Sequence, residues 1–108
     1  MVVKKAKYQL CDMDIRRAFL ERNKEFFKSN IFANEFGINS TNVVDFASFD
    51  FKKNVFYGFE IKSPRDNLTR LYKQLTAYTT FFNIVYLIVH DKHLEEAMEM
   101  IDTYEHFR

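Results

Sequence analysis

One cysteine, one proline, two glycines and no tryptophan occur among 108 residues. A lone Cys11 excludes an internal disulfide and a multi-cysteine zinc site, and it suits a reducing compartment, so a cytoplasmic protein is expected. Scarce glycine and proline leave little room for long irregular loops. No apolar run has the length needed to cross a bilayer; the most apolar stretch is residues 84–89, and no membrane association is expected. After Met1, Val2 and Val3 come Lys4, Lys5 and Lys7 with no apolar run behind them, so no secretory leader is expected there. A charge excess is missing too: 16 Lys and Arg oppose 15 Asp and Glu, a net +1. A non-specific nucleic-acid binder usually shows a clear basic excess, so any such site must rest on local clustering, with salt-sensitive affinity. No P-loop, Rossmann glycine pattern or Ser-His-Asp arrangement is present.

What the chain does have is apolar and aromatic mass. At 47% hydrophobic, with 13 Phe and 6 Tyr, it supports one core and a single domain over residues 1–108, centred on about 12–102. Part of the aromatic excess fits AT-rich coding, in keeping with the plentiful Lys, Asn and Ile. The remainder leaves material for an exposed apolar patch and a dimer surface.

Periodicity divides the chain into α-β-β-β-α-β-α. Residues 1–11 read as a lead-in arm. A helix follows to about residue 28, capped by Asp12 or Asp14, with Ile15, Ala18, Phe19, Arg22, Phe26 and Phe27 on one side. Its other side turns Arg16, Arg17, Glu21, Lys24 and Glu25 to water. Strands are expected over 31–38, 43–51 and 55–62, joined by polar turns into an antiparallel meander, with Gly37 at a bulge or strand end. Ser63 at N-cap, Pro64 at the first helical position and Asp66 three residues on predict a helix over 63–82. The run 84–90, apolar on both faces, reads as a buried parallel strand, and 93–104 as a last helix. The fold class is α/β, a mixed central sheet flanked by helices.

Polar groups recur in order through this greasy frame. Glu60 and Lys62, two apart on a strand, project to one face. Asp45 lies mid-strand in Val44-Asp45-Phe46, where a carboxylate needs a partner, and hairpin pairing would set it opposite Glu60. Two adjacent carboxylates repel, and a divalent cation such as Mg²⁺ or Mn²⁺ relieves that repulsion, with the Ile61 carbonyl as a third oxygen donor. Lys62 would then hold the attacking water. Glu35 is a further acidic candidate for the metal or a water. On the next helix Gln74 and Tyr78 stand four apart beside Arg70, with Lys73 and Arg65 as further phosphate contacts. In isolation, a solvated triplet is the commoner reason for Glu60 and Lys62, and an ordinary basic helix face accounts for Arg65 and Lys73 as well as phosphate contact does. Asp50-Phe51-Lys52 fits the same triplet at a polar turn, where it needs no partner. His90 and His93 lie at a strand-to-helix junction and read as capping and surface groups.

The series Asp45, Glu60-Ile61-Lys62, then Gln74 and Tyr78 resembles the RecB-like branch of the PD-(D/E)xK nuclease superfamily. Longer stretches are similar to a family of short bacterial and phage proteins assigned to it: Glu35-Phe36-Gly37, Val44 to Ala47, Gly58 to Ser63, Arg65 to Leu68, and Arg70-Leu71 through Tyr78. The resemblance implies a restriction-endonuclease-like fold, Mg²⁺ or Mn²⁺ as cofactor, and phosphodiester hydrolysis, expected on DNA. It matches Asp45, Glu60 and Lys62 to catalytic positions and Glu35 to an additional acidic one, with Gln74 in support. Arg65, Arg70, Lys73 and Tyr78 are expected at the nucleic acid. Val43 stands where relatives commonly carry arginine. The competing expectation is a catalytically silent protein of the same fold, binding nucleic acid or a partner, alone, as a homodimer or within a larger complex.

Overall fold

The computed structural model describes residues 1–6 and 11–107. A five-stranded mixed sheet has the order β1 (Val2–Ala6), β5 (Ile84–His90), β4 (Val55–Lys62), β3 (Val43–Asp50) and β2 (Ile31–Gly37). Helices α1 (Asp12–Arg22) and α2 (Lys24–Phe27) pack on one face, while α3 (Leu71–Phe81), α4 (Asp91–Thr103) and a 3-10 turn (Glu105–Phe107) cover the other. The α/β class and the β-β-β-α-β meander and crossover are as the sequence predicts: β2, β3 and β4 are antiparallel neighbours, and β4 pairs parallel with β5.

Two apolar layers follow from strand alternation. On β4, Tyr57, Phe59 and Ile61 join Ile15, Phe46 and Ile88 under α1. Val85, Leu87 and Val89 of β5 join Leu71, Leu75, Tyr78 and Ala97 under α3 and α4. Burial on both faces explains why residues 84–90 carry no polar alternation. Gly58 faces α3, where a Cβ would overlap the ring of Phe82. Asn83 then ties the end of α3 to β4, donating its amide to the Phe56 carbonyl at 2.9 Å and accepting the Phe56 amide on Oδ1 at 2.7 Å.

Four expectations need correction. The lead-in arm is β1 over Val2–Ala6, an edge strand parallel to β5, while residues 7–10 lie outside the described residues. The first helix breaks at Asn23, whose side chain donates to the Phe19 carbonyl at 2.8 Å; its N-cap is Cys11, with neither Asp12 nor Asp14 in that place. Arg16, expected in water, is buried. Helix α3 starts at Leu71, eight residues after Ser63. Ser63 and Asp66 do make one half of a helix-start cap, Ser63 N–H to Asp66 Oδ2 at 2.7 Å, while the Asp66 N–H donates to the Ser63 backbone carbonyl at 3.0 Å. Those bonds close one turn, and Asn67 then bends the chain by accepting the Thr69 amide.

Candidate active site

The site forms where β3 and β4 part. Their register runs from Asp50 with Val55 to Phe46 with Phe59 and stops there; Asp45 and Glu60 are the next opposed pair. Instead of a backbone carbonyl, Asp45 Oδ2 accepts the Ile61 amide at 2.6 Å. The other ladder lapses at the same level, because β2 pairs Asn34 with Phe46 and Phe36 with Val44 but skips Glu35, which sits at φ 52. Phe46 packs under α1 and Val44 under α3, so β3 rolls over at Asp45. Glu35, Asp45 and Glu60 thereby form a row across three strands.

Burial sets the charge of this row. Glu60 is only 4% exposed, and desolvation, with Asp45 beside it, pushes its carboxyl up to about 8 despite the opposing pull of Lys62. Asp45 is raised to about 6, again chiefly by desolvation, with Asp12 and Glu35 adding to it and the Ile61 amide and Arg16 working against it. Lys62 Nζ lies 3.6 Å from Glu60 Oε2, and both side chains are buried. Glu60 Oε1 and Gln74 Oε1 are buried with no hydrogen-bond partner. Tyr78 is fully buried next to Glu60, and its hydroxyl donates to the Val43 carbonyl at 3.0 Å, tying α3 to β3 beside the acidic row.

Arg16 is the member that sequence reasoning missed. Its guanidinium donates to Asn34 Oδ1 at 3.0 Å, Asp12 Oδ1 at 3.2 Å and Glu35 Oε1 at 3.4 Å, and NH2 stands 3.9 Å from Asp45 Oδ1. One cation on α1 therefore bridges three carboxylates. The signal available in sequence was the Asp12 and Arg16 spacing of four on a helix, together with acids left unpartnered on β2 and β3.

The other expected residues divide. Gln74 and Tyr78 both lie on the buried side of α3, and Tyr78 stands against Glu60, so it supports the site from within and is closed to direct contact with a strand. Arg65, Arg70 and Lys73 are exposed. The Glu35 side chain is 66% exposed and turned to Arg16. Ile61 commits its amide to Asp45. Among the described residues no three His, Cys, Asp or Glu side chains are grouped to hold a metal ion. The oxygens on hand, from Asp45 and the unpartnered Glu60 Oε1, suit Mg²⁺, which keeps several waters and takes few protein ligands. His90, as expected, caps α4, its Nδ1 accepting the Lys92 amide at 3.0 Å. No helix among the described residues is long and apolar enough to cross a membrane.

Residues 4–104 match the model of a family described as Bacteriophage P4 protein cII, and the chain belongs to that family. The match includes every residue of the acidic row, Arg16 and the whole of α3. No curated protein and no solved structure matches the chain.

Proposed function

We propose that this protein is a cytoplasmic, metal-dependent nuclease of PD-(D/E)xK type that hydrolyses phosphodiester bonds of DNA in repair, defence or phage DNA processing. The observation that supports this most is the half-buried Asp45 opposite the buried pair Glu60 and Lys62, with Glu60 Oε1 left without a partner. Burying two carboxylates side by side is costly, and a divalent cation repays it where a purely structural site would use apolar groups. Asp45 and Glu60 would hold Mg²⁺ or Mn²⁺. That ion, when bound, supplies Lewis-acid stabilisation of the charge that builds on the phosphate. Lys62 Nζ, beside Glu60, would orient the attacking water and accept negative charge from it by hydrogen bonding. Gln74, buried on α3, carries an unpartnered amide oxygen, and Tyr78 fixes β3 against α3. Arg65, Arg70 and Lys73, all exposed, would take backbone phosphates. Titration of Mn²⁺ into the wild type and Asp45→Asn tests the reading directly: binding lost in the variant, with the fold retained, is the expected result.

A second reading has its own support. Arg16 and Lys62 already offset part of the acidic row, and no three-ligand group exists among the described residues. A catalytically silent member of the fold, binding nucleic acid or a larger protein partner, would keep this arrangement as an internal brace. A folded wild type that neither binds Mn²⁺ nor cleaves any substrate selects this reading.

A further inference from the structure

Three carboxylates close on one nitrogen beside the acidic row. Arg16 NH2 lies 3.2 Å from Asp12 Oδ1, 3.4 Å from Glu35 Oε1 and 3.9 Å from Asp45 Oδ1. These acids come from α1, β2 and β3, so only the tertiary fold brings them to that point. A positive centre among acidic oxygens from separate elements is the arrangement that a hard divalent cation takes. Here a side chain of α1 fills it. NH1 donates to Asn34 Oδ1 at 3.0 Å, and the guanidinium carbon stands 5.7 Å from the centroid of the Phe46 ring. Nε is buried without a partner, so the terminal nitrogens set the place of the group.

The grip of Arg16 on the three acids is uneven. It hydrogen-bonds Asp12 and Glu35, while its approach to Asp45 is too long for a hydrogen bond. Asp45 Oδ1 therefore keeps its lone pairs for an ion shared with Glu60, whereas Glu35 Oε1 is committed to the guanidinium. A groove of about 550 Å³, lined by Arg16, Asn34 and Glu35 among others, opens this point to solvent, so access is not what keeps a cation out. Charge does so. A divalent ion brought to Glu35 would stand within a few ångströms of a guanidinium that cannot lose its proton.

We propose that Arg16 stands in the place of a second metal ion, so that the site takes one divalent cation, at Asp45 and Glu60, and Glu35 is not among its ligands. The proposal rests on the nuclease reading for the ion at Asp45 and Glu60, and its test counts bound metal instead of cleavage. Mn²⁺ bound per chain is measured by loss of the free-ion paramagnetic resonance signal, with circular dichroism to verify folding. The proteins compared are the wild type, Arg16→Met, Arg16→Lys, Glu35→Gln and the double variant Arg16→Met with Glu35→Gln. One ion is expected on the wild type and on Arg16→Lys, two on Arg16→Met, and one again on the double variant. Glu35→Gln alone should weaken Mn²⁺ binding by less than about fivefold, as an exposed charge acting through solvent does. That arm needs no folded Arg16→Met, and a larger drop overturns the proposal by making Glu35 a ligand. Two ions on the wild type, or a folded Arg16→Met that still takes one, overturn the proposal and leave the nuclease reading standing. A wild type that takes none, while Arg16→Met takes one that Glu35→Gln removes, does the reverse. No ion on either protein overturns both.

Discussion

The Ile61 amide and the Asp45 carboxylate meet at 2.6 Å, so a side chain of β3 takes the place of a backbone carbonyl at the point where β3 and β4 separate. The same carboxylate is a candidate metal ligand, and its other oxygen stands 3.9 Å from the Arg16 guanidinium. Shape and charge at Asp45 can therefore be separated. Asp45→Asn keeps an oxygen for the Ile61 amide and should change stability by less than about 1 kcal/mol while abolishing metal binding. Asp45→Ala orphans the amide and should cost about 1–3 kcal/mol. Urea unfolding of the two variants beside Mn²⁺ titration checks both halves.

Stability should fall as pH rises across the neutral range. Glu60 rises from 4.5 to about 8 and Asp45 from 3.8 to about 6 on folding, so the folded state holds more protons than the unfolded state between those values. The slope of unfolding free energy with pH is then negative: the contribution is complete below about pH 4 and lost as pH climbs to about 8. For the Glu60 side chain, almost wholly buried, the loss is on the order of a few kcal/mol. Glu60→Gln should flatten the profile above pH 5, and saturating Mn²⁺ should lift wild-type stability most at pH 8. A Glu60→Gln profile as steep as the wild type would show that the slope arises elsewhere.

Arg16 should matter more than its place on an exposed helix suggests. Arg16→Met leaves Asp12, Glu35 and Asp45 without their shared cation; because Glu35 is largely exposed, a cost of about 1–3 kcal/mol is expected, short of a fully buried pair. Arg16→Lys should recover only part of it, since one ammonium cannot reach Asn34, Asp12 and Glu35 in the same geometry. Thermal unfolding of the three proteins gives the ranking.

Gly58 is set by contact with a ring. Gly58→Ala drives a Cβ into Phe82, and the expected loss is about 1–3 kcal/mol. Adding Phe82→Leu should recover part of that loss, so the double variant is less destabilised than the sum of the singles. Strict additivity in denaturant unfolding would place the strain elsewhere.

Much of this architecture is legible in the sequence where alternation is strong. β4 reads correctly to the residue because Val55, Tyr57, Phe59 and Ile61 alternate with residues of the other face, and β5 because it is apolar throughout. β1 escaped because Val2–Ala6 is short, and two of its five residues are lysines. The start of α3 was misplaced because Ser63 and Asp66 carry the pattern of a capping box, yet their bonds close only one isolated turn. The opposition of Asp45 and Glu60 follows from hairpin register alone. Arg16 was out of reach for a different reason: helical periodicity says that it leaves the apolar stripe, and only the tertiary placement of Glu35 and Asp45 reveals what it leaves the stripe to meet.

The central claim is tested most directly by Mg²⁺- and Mn²⁺-dependent cleavage of single- and double-stranded DNA and RNA, with Asp45→Ala and Lys62→Ala in parallel and circular dichroism to verify folding. The account predicts DNA cleavage by the wild type that chelator stops and that both folded variants lack. A folded wild type inert on every substrate, or variants that cleave as it does, would contradict it.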